Sequence, residues 1–177
     1  MTGVEPRWPE PPGWSLTRVE YGDPDVGALV EQVQAFYVER YGGPDETPLD
    51  PLMFQPPHGS FFLGRLGGTP VATGAWRRTT SAVVPGLPAG APLAEVKRMF
   101  VVPTAQRRGL ARLVLAHLER TAADSGVRAL VLETGAAQPE AIALYTSSGY
   151  EPVPGFGHYR DSPLSRCYGK VLGDAPA

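Results

Sequence analysis

Residues Glu95–Gly126 read EVKRMFVVPTAQRRGLARLVLAHLERTAADSG. Three pieces follow one another in this stretch. An apolar strand, from Leu93 to Val102, ends at Pro103. A polar, basic turn comes next, Gln106-Arg107-Arg108-Gly109-Leu110-Ala111. The spacing then predicts an amphipathic helix over about 107–125, with Leu110, Leu113, Val114, Leu118 and Thr121 or Ala122 on one face and Gly126 as its stop. Such a junction suits an anion. The helix start offers unpaired N–H groups, Gly109 permits close backbone approach, and the arginines add charge. The same residues also read as an ordinary strand-to-helix connection with solvated arginines. No Gly-Lys-Ser or Gly-Lys-Thr follows the turn, and Gly109 stands alone. Those two facts exclude a nucleotide P-loop and disfavour a dinucleotide fold.

Upstream, residues 1–13 carry Pro6, Pro9, Pro11 and Pro12 beside Trp8 and read as a proline-rich lead-in. Trp14 to Tyr21 is a weakly alternating first strand. Asp23-Pro24 is a helix start, Asp as N-cap and Pro in the first turn. Val26, Leu29, Val30, Val33, Phe36 and Tyr37 recur at helical spacing, and Gly42-Gly43 ends the helix. Residues 43–58, GPDETPLDPLMFQPPH, form a long loop with a short helical turn near Asp50 to Phe54. Ser60 to Leu66, Gly67-Gly68 and Pro70 to Arg78 read as strand, hairpin turn and returning strand.

Downstream, Arg128 to Glu133 is a short apolar strand and Gln138 to Ser148 a helix with Ala141, Leu144 and Tyr145 inward. Strands follow at Gly149-Tyr150 and at Leu164 to Leu172. The order predicts one mixed α/β domain over 14–172 with a tail at 173–177 and no internal repeat.

The bulk numbers agree. The 177 residues are 42% apolar and 19% charged, enough for one domain with a core. The net charge of −2 argues against a nucleic-acid partner, although Arg107, Arg108 and Arg112 make a local basic patch. One cysteine, Cys167, rules out an internal disulfide. His58, His117 and His158 lack ligand spacing, so no metal is expected. The N-terminus has no basic region followed by an apolar run, and no stretch approaches the ~20 apolar residues of a membrane span. The expectation is a cytoplasmic protein with no membrane partner. The lead-in, with Trp8 and Trp14, is a candidate surface for a homodimer.

A second block, Leu130 to Tyr150, reads LVLETGAAQPEAIALYTSSGY. Together the two blocks resemble the GNAT N-acetyltransferase superfamily. The turn resembles its coenzyme A signature, Gln or Arg, two residues, Gly, one residue, Gly or Ala. Ala141, Leu144, Tyr145, Gly149 and Tyr150 fit its Asn-x-x-Ala-x-x-Leu-Tyr-x-x-x-Gly-Phe/Tyr block, with Gln138 where asparagine is common. The resemblance is specific over about residues 94–150.

It implies a central mixed, mostly antiparallel sheet flanked by helices, with strands splayed at the coenzyme A site. It implies acetyl-CoA as co-substrate and transfer of the acetyl group to a primary amine by direct attack through a tetrahedral intermediate, with a small molecule as the expected acceptor. The strand Met99-Phe100-Val101 would align the pantetheine arm. Backbone N–H groups of the turn, Gln106, Arg107, Arg108, Gly109, Leu110 and Ala111, would hold the pyrophosphate. Gln138 would add a side-chain contact. The alternatives are a non-catalytic acyl-CoA-binding regulatory module and an N-acetyltransferase acting on protein or aminoacyl-tRNA. The low positive charge disfavours tRNA.

The reaction needs an acid for the leaving thiolate, a base for the amine and a donor for the thioester oxygen. Tyr145 is the candidate acid and also reads as an inward aromatic. A main-chain N–H of Phe100 or Val101 is the candidate oxygen donor. Glu95 reads two ways, as the base or as the ion-pair partner of Lys97 on the same strand face. Glu133 is the second carboxylate. Tyr37, Trp76 and Glu133 are candidate acceptor contacts. Asp45, Glu46 and Asp50 in the loop suit a cationic amine, whereas Arg77 and Arg78 suit an acceptor bearing a carboxylate.

Overall fold

The computed structural model describes residues 8–173. Its elements are β1 (Trp14–Val19), α1 (Pro24–Tyr41), β2 (Gly59–Leu66), β3 (Thr69–Thr79), β4 (Leu93–Val101), α2 (Leu110–Asp124), β5 (Ala129–Gly135), α3 (Pro139–Ser147), β6 (Glu151–Pro152) and β7 (Ser165–Val171). Short 3-10 turns lie at Pro51–Phe54 and Pro103–Ala105. The strands form one sheet in the order β1-β2-β3-β4-β5-β7-β6. The β4–β5 pair is parallel and the other pairs are antiparallel, so the sheet is the mixed, mostly antiparallel one expected.

Local chemistry sets most boundaries. Asp23 caps α1 by accepting from the Asp25 N–H at 2.8 Å, with Pro24 behind it. Gly42, at φ 77°, ends the helix. Gly67 and Gly68 both have positive φ, which the tight β2–β3 hairpin requires. Helix α2 packs on β3, β4 and β5 through Leu110, Val114, Leu115, Leu118 and Ala122.

The structure departs from the sequence reading in several places. Helix α2 starts at Leu110, three residues later than predicted, because Arg107 (φ 62°) and Gly109 (φ 76°) are left-handed and cannot open a right-handed helix. Strand β1 stops at Val19, and the Tyr21 ring packs instead on Phe54 and Phe61, each 5.5 Å away between centroids. Of Ala141, Leu144 and Tyr145, only Tyr145 is fully buried. Trp14 packs into this chain's own core and Trp8 lies over the Arg112 guanidinium at 4.9 Å. Residues 1–7 of the lead-in and 174–177 of the tail lie outside the described residues.

Two features of β4 matter for function. Between the rungs Thr73↔Phe100 and Ala75↔Lys97, β3 advances two residues and β4 three. This bulge carries Arg98 at φ 54°, with its carbonyl accepting from Thr73 Oγ1 at 2.7 Å. Gly74 lies opposite, where any Cβ would run into Val114 of α2. The second feature is short pairing. β4 and β5 share three rungs, ending at Glu95↔Val131, and then part although both strands continue.

Strand β2 begins at another point of close contact. A Cβ on Gly59 would collide with the backbone oxygens of both Met53 and Trp76. Backbone cannot rotate away, so Gly59→Ala should destabilise the fold by about 3 kcal/mol. A urea unfolding midpoint unchanged from the parent would contradict that close packing.

Candidate active site

The parting of β4 and β5 opens a cavity of about 450 Å³. Each strand supplies the four residues just past the last shared rung: Val96, Lys97, Arg98 and Met99 from β4, and Leu132, Glu133, Thr134 and Gly135 from β5. The last turns of α1 add Tyr37 and Tyr41, one helical turn apart. Loop 42–47 adds Asp45, α3 adds Ala141 and Tyr145 with its N-cap Gln138, the segment before β7 adds Tyr159, and the first residue of β7 adds Ser165.

The opening joins the two sides of the sheet. Leu132 and Tyr145 belong to the large core cluster, with α2. Strand alternation puts Lys97 and Glu133 on the other side, with Leu93, Ala129 and Val131 of the smaller cluster. Unbroken alternation would carry Met99 to that side too. The bulge at Arg98 shifts the register, and Met99 packs against the large core instead.

Each wall is fixed by named bonds. Asp45 Oδ1 accepts from the Thr47 N–H at 2.9 Å and its hydroxyl at 2.6 Å, while the Asp45 N–H donates to Gln34 Oε1 at 2.9 Å. Tyr159 Oη accepts from the Glu46 N–H at 2.8 Å. Gln138 Nε2 donates to Tyr41 Oη at 3.1 Å. Gly135 permits this approach, since a Cβ there would overlap the Tyr41 phenol.

The sequence candidates fall into four groups. Tyr37, Glu133, Gln138, Met99 and Tyr145 meet in the cavity wall. Phe100 and Val101 continue β4 along the edge that β5 has left, paired with β3 on the other side. Val101 O accepts from Gln106 Nε2 at 3.1 Å, which ties the turn to that edge. The turn itself lies beyond the cavity wall. Gly109 caps α2 without a side-chain bond, so the first N–H groups of the helix stay open, beside the exposed Arg107 and Arg108.

Glu95 and Trp76 are not brought to the cavity. Glu95 Oε2 accepts from Arg77 Nε at 3.3 Å and Nη2 at 3.1 Å, and its Oε1 lies 3.5 Å from Lys97 Nζ. Its carboxylate therefore sits between two cations, the ion-pair arrangement of the two read from sequence. Trp76 is a core residue, 2% exposed, with Nε1 donating to Thr121 Oγ1 of α2 at 3.1 Å. Its alternation on β3 points it toward the helix rather than the gap. Arg77 is held by Glu95, and Arg78 donates to the Pro57 and Ser125 carbonyls, so neither reaches the cavity.

Burial shifts the groups in the wall. It pushes the Glu133 carboxyl up to about 7, with Lys97 pulling down, Glu95 and Asp45 pushing up and the Ser165 hydroxyl pulling down. Burial, then the Asp45 charge, pushes Tyr37 up to about 12, against the pull of Arg98. Burial, followed by the neighbouring Tyr37, lifts Tyr145 well above the ordinary phenol range, so it stays protonated. At Asp45 burial acts upward, but the Thr47 hydrogen bonds and the charges of Lys97 and Arg98 outweigh it and hold the carboxyl below its usual value.

Among the polar side chains of the wall, Arg98, Tyr159 and Ser165 left no site reading in the sequence, whereas Tyr41 falls in the first helix expected to wall the acceptor. Arg98 left a trace. Two consecutive cations, Lys97 and Arg98, within a central apolar strand cannot both be accommodated by simple alternation, which hints at a bulge.

The Acetyltransferase (GNAT) family model matches residues 30–150. The chain is 34% identical over 147 residues to an IAA acetyltransferase of Azospirillum brasilense, covering 83% of this chain and 90% of the relative. A Klebsiella pneumoniae structure, described as a candidate acyl-CoA N-acyltransferase, is 28% identical with a TM-score of 0.71, over 90% of this chain and 98% of that one. An Elizabethkingia anophelis GNAT acetyltransferase, solved with acetyl-CoA bound, shares the fold at 14% identity and a TM-score of 0.63, over 92% of this chain and all of the other. With its splayed β4 and β5 and both sequence blocks inside the matched span, the chain belongs to the GNAT family of acetyltransferases.

Proposed function

We propose that this acetyltransferase carries an acetyl group from acetyl-CoA to the primary amine of a small molecule, and that residues 14–172 act as one domain. The observation that carries the reading is the gap between β4 and β5, with a buried phenol toward one side and a carboxylate of pKa about 7 toward the other. The volume of about 450 Å³ lies within the range of small-ligand pockets.

The residues divide the work. The open N–H groups at the start of α2, with Arg107 and Arg108 beside them, fit a pyrophosphate. The unpaired edge of Met99, Phe100 and Val101 fits an extended amide-bearing arm. A β4 main-chain N–H at Phe100 or Val101 faces the thioester oxygen as charge builds there. Glu133 takes the proton from the amine as the new C–N bond forms. Tyr145 donates its proton to the sulfur as the C–S bond breaks. Glu95 holds Lys97, whose charge tunes Glu133.

The cofactor half has its own test. Free CoA at a hundred times its Kd should stabilise the protein by about 2.7 kcal/mol, seen as a rise in Tm. The double variant Arg107→Ala/Arg108→Ala should bind CoA roughly tenfold more weakly, with a shallower salt dependence. No Tm change at millimolar CoA would remove the reading.

A further inference from the structure

Arg98 lines the cavity, yet none of the steps above uses it. It is the most buried cation of the wall, with a side chain 5% exposed. The bulge holds its backbone at φ 54°, and the bond from Thr73 to its carbonyl fixes that conformation. The fold thus positions a guanidinium in the cavity wall rather than letting it reach solvent.

Its hydrogen bonding is incomplete. Nε and Nη1 are buried with no hydrogen-bond partner. A guanidinium presents five N–H donors, and leaving them buried and unpaired is unfavourable. The nearest anion is Asp45, whose Oδ2 lies 3.6 Å from Nη1, beyond hydrogen-bond range. The other Asp45 oxygen is already committed to Thr47. Lys97, the other cation of the wall, is paired with Glu95. Arg98 is therefore the wall cation with donors to spare, and Arg is the side chain suited to a carboxylate in a planar, forked geometry.

The charge pattern narrows the ligand. Arg98 and Lys97 share the wall with Asp45, Glu133 and the exposed Glu46, and with the phenols of Tyr37 and Tyr159. A simple cationic amine would leave the Arg98 donors without a partner. A simple anion would lie against Asp45 and Glu133. A molecule with both charges complements both sets.

We propose that the acceptor is an amine that also carries a carboxylate, such as an amino acid or close analogue, with the carboxylate on the Arg98 guanidinium and the amine turned to Glu133. This rests on the acetyl-transfer reading and specifies its substrate class.

The test is thiol release from acetyl-CoA by the full chain, using a panel of amino acids, each beside its amide and its decarboxylated amine. For the preferred amino acid, kcat/KM should exceed that of its two analogues by roughly tenfold to hundredfold, mostly through KM. Arg98→Met should erase the preference by lowering the acid alone, and Arg98→Lys should keep part of it. Where Arg98→Met fails to fold, the wild-type panel and Arg98→Lys still decide. Amides and decarboxylated amines that serve as well as the acids would overturn the proposal and leave acetyl transfer standing. An Arg98→Met loss equal for all amines would assign the residue a structural role and overturn it too. Thiol release from no amine at all would remove the acetyl-transfer reading, and this proposal with it.

Discussion

Tyr145→Phe should lower kcat about a hundredfold while leaving acetyl-CoA affinity nearly unchanged. The substitution removes one oxygen and keeps the ring that packs edge-on against Tyr150, 5.8 Å away between centroids. Core packing is therefore retained, and the change isolates the proton. Burial holds the phenol protonated across the working pH range, so it is a donor at every pH at which the enzyme would act. Thiolate expulsion is the step that lacks a proton in the variant. Steady-state kcat at saturating acceptor, beside calorimetric CoA binding, makes the comparison. Turnover near that of the parent would reject Tyr145 as the acid.

Glu133→Gln should cost a similar or larger factor, on the order of 10²–10³ near neutral pH. The sign of its pH dependence follows from its environment. A base works only when ionised, and burial raises this carboxyl to about 7. Wild-type kcat/KM should therefore climb with pH up to about 7 and then level. In Glu133→Gln that limb should vanish. The deficit should also shrink in alkali, because an amine of pKa about 10 begins to deprotonate unaided. Glu95→Gln separates the two carboxylates. Glu95 raises the Glu133 pKa, so removing its charge should move the limb to lower pH without abolishing it. Loss of the limb in Glu95→Gln, with its retention in Glu133→Gln, would reverse the assignment.

The fold was legible where local chemistry decides geometry. Asp23-Pro24 and Gly42 bracket α1, and Gly67-Gly68 turn the β2–β3 hairpin, each for a reason carried by one or two residues. The Tyr145 block and the turn at Gln106 to Ala111 were legible as a pair because their spacing survives folding unchanged. The cavity wall was not. Which of Glu95 and Glu133 faces the gap depends on where β4 and β5 stop pairing, a long-range property that no single residue encodes. Trp76 read as a candidate acceptor contact, yet the strand register turns it toward α2 and Thr121. Arg98 was hidden by the bulge, which comes from its own left-handed backbone and from the space that Gly74 leaves on the facing strand.

On the proposed function, an acetyl group passes from acetyl-CoA to an amine in the gap between β4 and β5. Amine-dependent release of free thiol, with mass spectrometry of the product, tests it most directly. The expected result is saturable release that requires an amine, one acetyl group added to that amine per thiol freed, and loss of both in Glu133→Gln and Tyr145→Phe. Thiol release at the same rate with and without any amine, or full activity in both variants, would contradict it.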